Sequence, residues 1–136
     1  MNWKFFGKLH AWLYSASGGR LGSNAGPLKI ALVTTTGRKS GKQRAVPIVS
    51  YPYKNSVAVS ASNSGQSKHP AWFLNMQANP AVMVQLGTEK FSAIAEVVPD
   101  SERNELWTLV TDMNPHQKEY RANTDRDIPL VWFRRV

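Results

Sequence analysis

The chain has no cysteine among its 136 residues, which excludes disulfides, thiolate metal sites and a cysteine nucleophile together. Acidic side chains are missing from residues 1–88: all nine Asp and Glu stand at Glu89 or later, whereas ten of the seventeen Lys and Arg precede it. The formal net charge of +8 is therefore concentrated in the N-terminal part of the sequence. No apolar run approaches the roughly 18 residues that a membrane-spanning helix needs. The first residues mix charges with aromatics where a signal peptide would be smoothly apolar, so a cytoplasmic protein is expected. The three histidines, His10, His69 and His116, fall in separate segments without ligand spacing, and no metal site is expected. Three nucleotide and nucleophile patterns also fail. GRKSGKQR sets its glycines too close for a phosphate loop and follows Lys42 with Gln43, no GxGxxG follows a strand, and Ser64-Gly65 lacks the leading glycine of a nucleophile elbow.

What is present begins with residues 34–47, TTTGRKSGKQRAVP, a Gly-rich basic turn between two apolar runs. An uncompensated positive field draws anions, and glycines let backbone N–H groups approach them closely. Nucleic acid, an anionic membrane surface and a small phosphorylated or carboxylated ligand all satisfy that charge.

The length suits a single core. Residues 2–16 place Phe5, Leu9, Trp12, Leu13 and Ala16 at helical spacing, with Lys4, Lys8 and Tyr14 off the stripe, which predicts an amphipathic helix. Residues 17–27, SGGRLGSNAGP, read as a linker or surface loop separating that helix from the body. The division expected is an N-terminal helix and linker over 1–26 and a main domain over 27–136. Residues 28–36, 45–53 and 57–61 read as a three-strand meander with a short turn at Lys54-Asn55. Residues 69–80 hold a helical core between prolines, 81–86 and 91–98 form another strand pair around Gly87, a helix starts near Ser101, and 128–135 is a last strand. About six mostly antiparallel strands interleaved with helices predict an α+β fold, a barrel or curled sheet with helices packed outside.

Arg38, Lys39, Lys42 and Arg44 form the cationic cluster of the turn, where a planar guanidinium suits a phosphate; a solvated hairpin tip is the plainer alternative. The segment 60–80 joins a loop of small polar residues to a helix bearing Trp72, Phe73 and Met76. Trp72 and Met76 share a face, and such a stripe more often packs in a core than lines a ligand site. Asn75 lies among Phe73, Leu74 and Met76, so its amide must find partners in the backbone or on a bound ring.

Three stretches, LVTTTGRKSGKQRAVPI, SASNSGQSKHPAWFLNMQANPAVMVQ and YRANTDRDIPLVWF, together resemble the deazaflavin-dependent nitroreductase family, split β-barrel reductases of actinobacteria that use coenzyme F420. The resemblance runs from about Pro27 to the C-terminus. It implies a split β-barrel with F420 in a groove beside the basic turn. Lys39 and Arg44 match residues that engage the cofactor phosphate, with Arg38 and Ser40 nearby. Ala45, Val46, Pro47, Ile48 and Val49 match the strand beside the deazaflavin ring. Ser60, Ala61, Ser62 and Asn63, with Ala71, Trp72, Phe73, Leu74 and Asn75, match the segments that complete the pocket. The implied reaction is hydride transfer from reduced F420 to an electron-poor acceptor such as an activated alkene or enone, a quinone or a nitro compound. Trp72, Asn114, Gln117 and Tyr120 match acceptor-side positions, and Ser62, Tyr120 or water would donate the proton.

Two departures stand out. Familiar nitroreductase members carry several tyrosines where this chain has Asn114 and Gln117 beside Tyr120, which argues against bulky nitroimidazoles. Asn63 replaces a lysine able to meet the cofactor tail, a role that Lys68 could take. The alternatives are an FMN-binding split-barrel oxidoreductase and a basic module for nucleic acid or a membrane surface. Against nucleic acid, the cations are not interleaved with an aromatic ladder. Split barrels often pair, so a homodimer is expected. Trp3, Phe6 and Trp12 beside Lys4 and Lys8 would suit peripheral attachment at the inner membrane face, or docking on the barrel.

Overall fold

The computed structural model describes residues 3–19 and 22–136, with the side chains of 3–7 and 25 outside the description. The elements run α1 (Trp3–Ala16), β1 (Asn24–Ala25), β2 (Leu28–Thr36), β3 (Gln43–Tyr53), β4 (Ser56–Ser60), α2 (Ala71–Ala78), β5 (Ala81–Leu86), β6 (Glu89–Val97), α3 (Asp100–Met113), α4 (His116–Ala122) and β7 (Leu130–Arg135). The strands are antiparallel in the order β1-β2-β3-β4-β7-β6-β5, and β2 also pairs with β5. That last pairing closes six strands into a barrel, with β1 a two-residue appendage on β2.

The register follows from local chemistry. Lys54 and Asn55 both adopt positive φ, the geometry of the two-residue hairpin that the right-handed twist of paired strands prefers. The inward wall is built from small branched and unbranched residues: Ala31, Val33, Val59, Val82, Val84, Ala93, Ala95 and Val131, with Phe133 the one large member. Such a wall leaves space that large side chains must fill, and α2 fills it with Trp72, Phe73 and Met76. The apolar stripe of α2 is thus core, as its spacing suggested. Burial along β2 is continuous from Ile30 to Val33 because both faces are covered. Ala31 and Val33 face the barrel interior, while Ile30 and Leu32 meet α1. The opposite wall, with Tyr51, Tyr53, Ala58 and Leu130, packs under Leu106, Trp107 and Val110 of α3. Asp100 and Glu102 in the first turn of α3 complement its dipole.

Two placements that the sequence left open are set by the structure. The apolar stripe of the amphipathic helix α1 points outward: Leu9, Trp12 and Leu13 are 41%, 64% and 38% exposed, and Ala16 is exposed too. Tyr14, placed off that stripe, is fully buried with Ala11 against Ile30 and Leu32. The reason is polar. The Tyr14 hydroxyl lies 2.8 Å from the Ile30 carbonyl and 2.9 Å from that of Gln85, and accepts a hydrogen bond from the Gly87 N–H at 2.8 Å. Periodicity in apolar residues could not show this pull. Phe5, Trp3, Phe6 and Lys4 lie outside the described side chains.

The second concerns residues 17–27, expected as a linker or surface loop. Gly19 sits so close to the β5–β6 turn that a Cβ there would fall 1.4 Å from the Gly87 carbonyl oxygen, and His10 Nε2 contacts the Gly22 carbonyl at 2.6 Å. The segment ends in β1. Its described residues therefore meet the barrel at Gly19 and through β1.

Candidate active site

The basic turn is a backbone-bonded structure. The Gly37 N–H donates to Lys42 O at 2.8 Å, the Gly41 N–H to Gly37 O at 2.8 Å, and the Lys42 N–H to Ser40 Oγ at 3.2 Å. Among the described residues Lys39, Lys42 and Arg44 are exposed and their side chains make no hydrogen bond or ion pair, so their charge is uncommitted. Arg38 differs. Its Nη1 donates to Asn75 Oδ1 at 2.9 Å and its backbone N–H to the same oxygen at 3.2 Å, while Asn75 Nδ2 donates to Thr35 Oγ1 at 3.2 Å. Asn75 is only 5% exposed, and its amide is satisfied within the protein. It ties α2 to the basic turn and aims Arg38.

Beside the turn the barrel is split. β3 pairs with β2 from Gln43 to Ser50, but with β4 only over Tyr51, Pro52 and Tyr53. Among the described residues no strand covers the other edge of 43–50, which leaves backbone donors and acceptors open. Pro47 lies in this stretch, and a proline is tolerated within a strand where no partner needs its N–H. Ala45 is exposed, and Val46, Pro47, Ile48 and Val49 are half-buried, an apolar strip next to a polar edge. At the end of β4, Ser60 Oγ is buried without a hydrogen-bond partner.

The third wall is the turn over residues 61–69. Ala61 and Ser62 are buried, and Asn63, Ser64 and Gly65 follow with φ of 48°, 55° and 78°. Three successive left-handed residues, two of them not glycine, store strain that surrounding contacts must hold. At Gly65 a Cβ would lie 3.0 Å from both the Cα and the carbonyl oxygen of Tyr120, so α4 presses directly on this turn. The segments of Ser62 and Tyr120 are thereby brought together. Asn63 Nδ2 donates to the Lys68 carbonyl at 3.0 Å, an amide used within the turn.

The acceptor-side residues divide. Tyr120 is half-buried and stacks on His116 with ring centroids 6.5 Å apart. Asn114 and Gln117 are buried. Asn114 Nδ2 donates to the Tyr51 hydroxyl at 3.1 Å, which commits it to the barrel wall, and Gln117 Oε1 is buried without a partner. Burial pushes the Tyr51 hydroxyl above its ordinary pKa, against the opposing hydrogen bond from Asn114. Trp72 and Phe73, expected beside a ligand, are held in the core because the Ala and Val wall needs their volume. On α2, Ala71 is exposed and Leu74 half-buried. Two shallow depressions elsewhere, one over Tyr53, Glu105 and Leu109 and one between α3 and α4, contain none of the expected site residues. Among the described residues no cluster of His, Asp or Glu could hold a metal ion.

Arg126 was not singled out in the sequence. Its Nε donates to Gln66 O at 2.9 Å, its Nη2 to Ala61 O at 3.0 Å and to Ser62 O at 2.7 Å, and its Nη1 to His69 Nδ1 at 3.0 Å. It lies inside one of the three signature stretches, but its partners are mostly carbonyls about 60 positions away, which no local pattern announces.

The structure thus combines a split barrel, one strand edge left open among the described residues, and beside it a cationic turn whose side chains are uncommitted. The model of the F420H(2)-dependent quinone reductase family matches residues 6–134. An F420H(2)-dependent quinone reductase from Mycobacterium tuberculosis (strain ATCC 25618 / H37Rv) is 30% identical over 128 residues, covering 91% of this chain and 86% of the relative. A solved F420-H2 dependent reductase, FDR-A, is 40% identical with a TM-score of 0.70, covering 76% of this chain and 92% of that one. A solved pyridoxamine 5'-phosphate oxidase-like protein from Listeria innocua, at 10% identity and TM-score 0.54, shares the fold alone. The chain belongs to the F420H(2)-dependent quinone reductase family, oxidoreductases whose hydride donor is reduced coenzyme F420.

Proposed function

We propose that this chain binds F420 along the open edge of β3 and reduces a quinone. The observation that carries the reading is the adjacency of that edge to three uncommitted cations, Lys39, Lys42 and Arg44. When bound, F420 supplies the hydride. The residues present fit such a group: the cationic turn suits its phosphate and carboxylate tail, and Val46, Pro47 and Ile48 offer an apolar strip to a ring. Ser60, whose Oγ is buried without a partner at the end of β4, is proposed as a further polar contact to the cofactor.

The protein's own work is to bind, orient and exclude water. Asn75 holds Arg38 at the turn, and Ala71 and Leu74 complete the wall from α2. Ser62 and Tyr120, on segments pressed together at Gly65, are the proton donors proposed for the reduced acceptor, with water as the third source. Quinones are favoured as acceptors because the matched relative carries that name. Nitro compounds and enones are secondary, and bulky nitroimidazoles are expected to be poor because Asn114 and Gln117 replace aromatic residues of the nitroreductases. A homodimer is proposed in parallel, since a solved relative at 40% identity is described as a domain-swapped dimer.

The test is a titration with F420 and, separately, FMN, followed by cofactor fluorescence and tryptophan quenching. Saturable F420 binding with weak FMN binding is expected, and the reverse order overturns the cofactor assignment. In a folded Lys39→Ala/Arg44→Ala double variant F420 binding should weaken by several kcal/mol at most, each charge-assisted bond contributing roughly 1.5–3. Unchanged affinity would remove the phosphate from this turn.

A second reading concerns location. No helix among the described residues is long and apolar enough to cross a membrane. The outward face of α1, with Leu9, Trp12 and Leu13 beside exposed Lys8, suits the surface of an anionic bilayer. Residues 1–88 carry no carboxylate to oppose that approach. A peripheral position would bring the enzyme to lipid-soluble quinones.

A further inference from the structure

We infer that Arg126 is a positioning residue, a clamp that holds the strained 61–69 turn in the shape that completes the cofactor pocket. This rests on the F420 reading of the site. Four features of its surroundings carry the inference.

All the hydrogen-bond partners of its guanidinium, the carbonyls of Ala61, Ser62 and Gln66 and the Nδ1 of His69, lie on that one turn. Because a guanidinium only donates, His69 is the acceptor of this contact, at Nδ1. The ring of His69 in turn packs edge-on against Phe73 of α2, with centroids 5.0 Å apart. The clamp therefore reaches both ends of the segment, from Ala61 to the start of α2.

The charge is not matched by a carboxylate. Among the described residues no ion pair includes Arg126, whereas its neighbour Asp127 is paired with Arg103. Partial burial pulls the guanidinium below its ordinary pKa, the mark of a charge withdrawn from water and satisfied by dipoles alone. A lysine could keep the charge, but a single ammonium cannot reproduce a planar fork that reaches carbonyls on both sides.

The turn needs such a clamp. Asn63 and Ser64 take left-handed backbone angles that non-glycine residues rarely adopt, and neither of their side chains reaches Arg126. Arg126 itself lies between α4 and β7, so the clamp links the cofactor-side turn to the segment carrying Tyr120. Release of the guanidinium would free Ser62 and Asn63 to leave the pocket while the barrel, closed by its own strand pairs, stays intact.

The experiment compares wild type with Arg126→Ala and Arg126→Lys by amide hydrogen exchange, F420 titration, and steady-state kinetics with menadione as the quinone. In Arg126→Ala, exchange over residues 62–67 should quicken at least about tenfold while Val131 and Phe133 in β7 stay protected. F420 affinity and the KM for F420H2 should worsen by about tenfold or more, with the KM for menadione changed less than about twofold. Arg126→Lys should fall between, and it carries the comparison if the alanine variant is insoluble. Faster exchange with unchanged F420 affinity would reduce Arg126 to a structural tie and overturn the proposal. So would a variant with unchanged exchange. A wild type that binds no F420 overturns the cofactor reading and this proposal with it, whereas equal binding by wild type and variant overturns this proposal alone.

Discussion

Single residues decide where this chain departs from its apolar pattern. Tyr14 is the clearest case, because one buried hydroxyl lies within hydrogen-bond distance of a carbonyl on β2 and another on β5 and receives the N–H of Gly87. It meets the two strands at the pairing that closes the barrel. Tyr14→Phe should therefore lower unfolding stability by about 1–3 kcal/mol in a urea titration, since the Gly87 N–H is left unpaired in a dry site. A neutral result would mean that water reaches the seam. A second residue-scale network joins β3 to α3: Lys54 Nζ pairs with Glu102 at 2.8 Å, and the Tyr53 hydroxyl donates to the same carboxylate. The bond from Lys54, then that from Tyr53, holds the Glu102 carboxyl below its ordinary pKa of 4.5. Because its folded value is depressed, its contribution is complete above that pH and is lost as pH falls through the folded value. Stability should thus decline more steeply in acid for wild type than for Glu102→Gln, measured by denaturation across the acid range. At the alkaline end the sign reverses. Burial and then Glu102 push Tyr53 up to about 12, so the folded state keeps a proton that the unfolded chain releases near 10, and stability falls between those values.

At the scale of elements, the strands and the core face of α2 were legible, and the orientation of α1 was not. β2, β5 and β6 follow from runs of β-branched and alternating residues, and the β3–β4 turn from Lys54-Asn55. Helix α4, HQKEYRA, was missed because it has no apolar stripe: it is held by Tyr120 against Gly65 and by a buried Gln117. The outward turn of α1 was hidden because its apolar stripe is a genuine amphipathic pattern, and only Tyr14's distant partners show which side faces the barrel. The same fact shapes the test of membrane attachment. Deleting residues 1–16 would remove Tyr14 and open the seam, so surface substitutions are the proper probe. A triple variant, Leu9→Ser/Trp12→Ser/Leu13→Ser, should leave stability within roughly 0.5 kcal/mol, as exposed substitutions usually do, and lose binding to vesicles of anionic lipid in a sedimentation assay. Retained vesicle binding would exclude this face as the attachment surface. In the site, the basic turn was readable from charge alone, yet the roles of Asn75 and Arg126 were not, because each acts through partners that only the closed barrel brings near.

For the whole molecule, the feature with the widest consequence is the uncovered edge of β3. A strand edge left open among the described residues and flanked by half-buried Val46, Ile48 and Val49 is what invites one chain to add itself to another. Most proteins blunt such an edge with charge, and here the nearest cations, Lys42 and Arg44, stand at one end of it. A cofactor bound along this edge, as proposed, would also guard it against self-association. Its loss would then threaten the protein's solubility as well as its turnover, and the amount of usable enzyme would track the supply of its coenzyme.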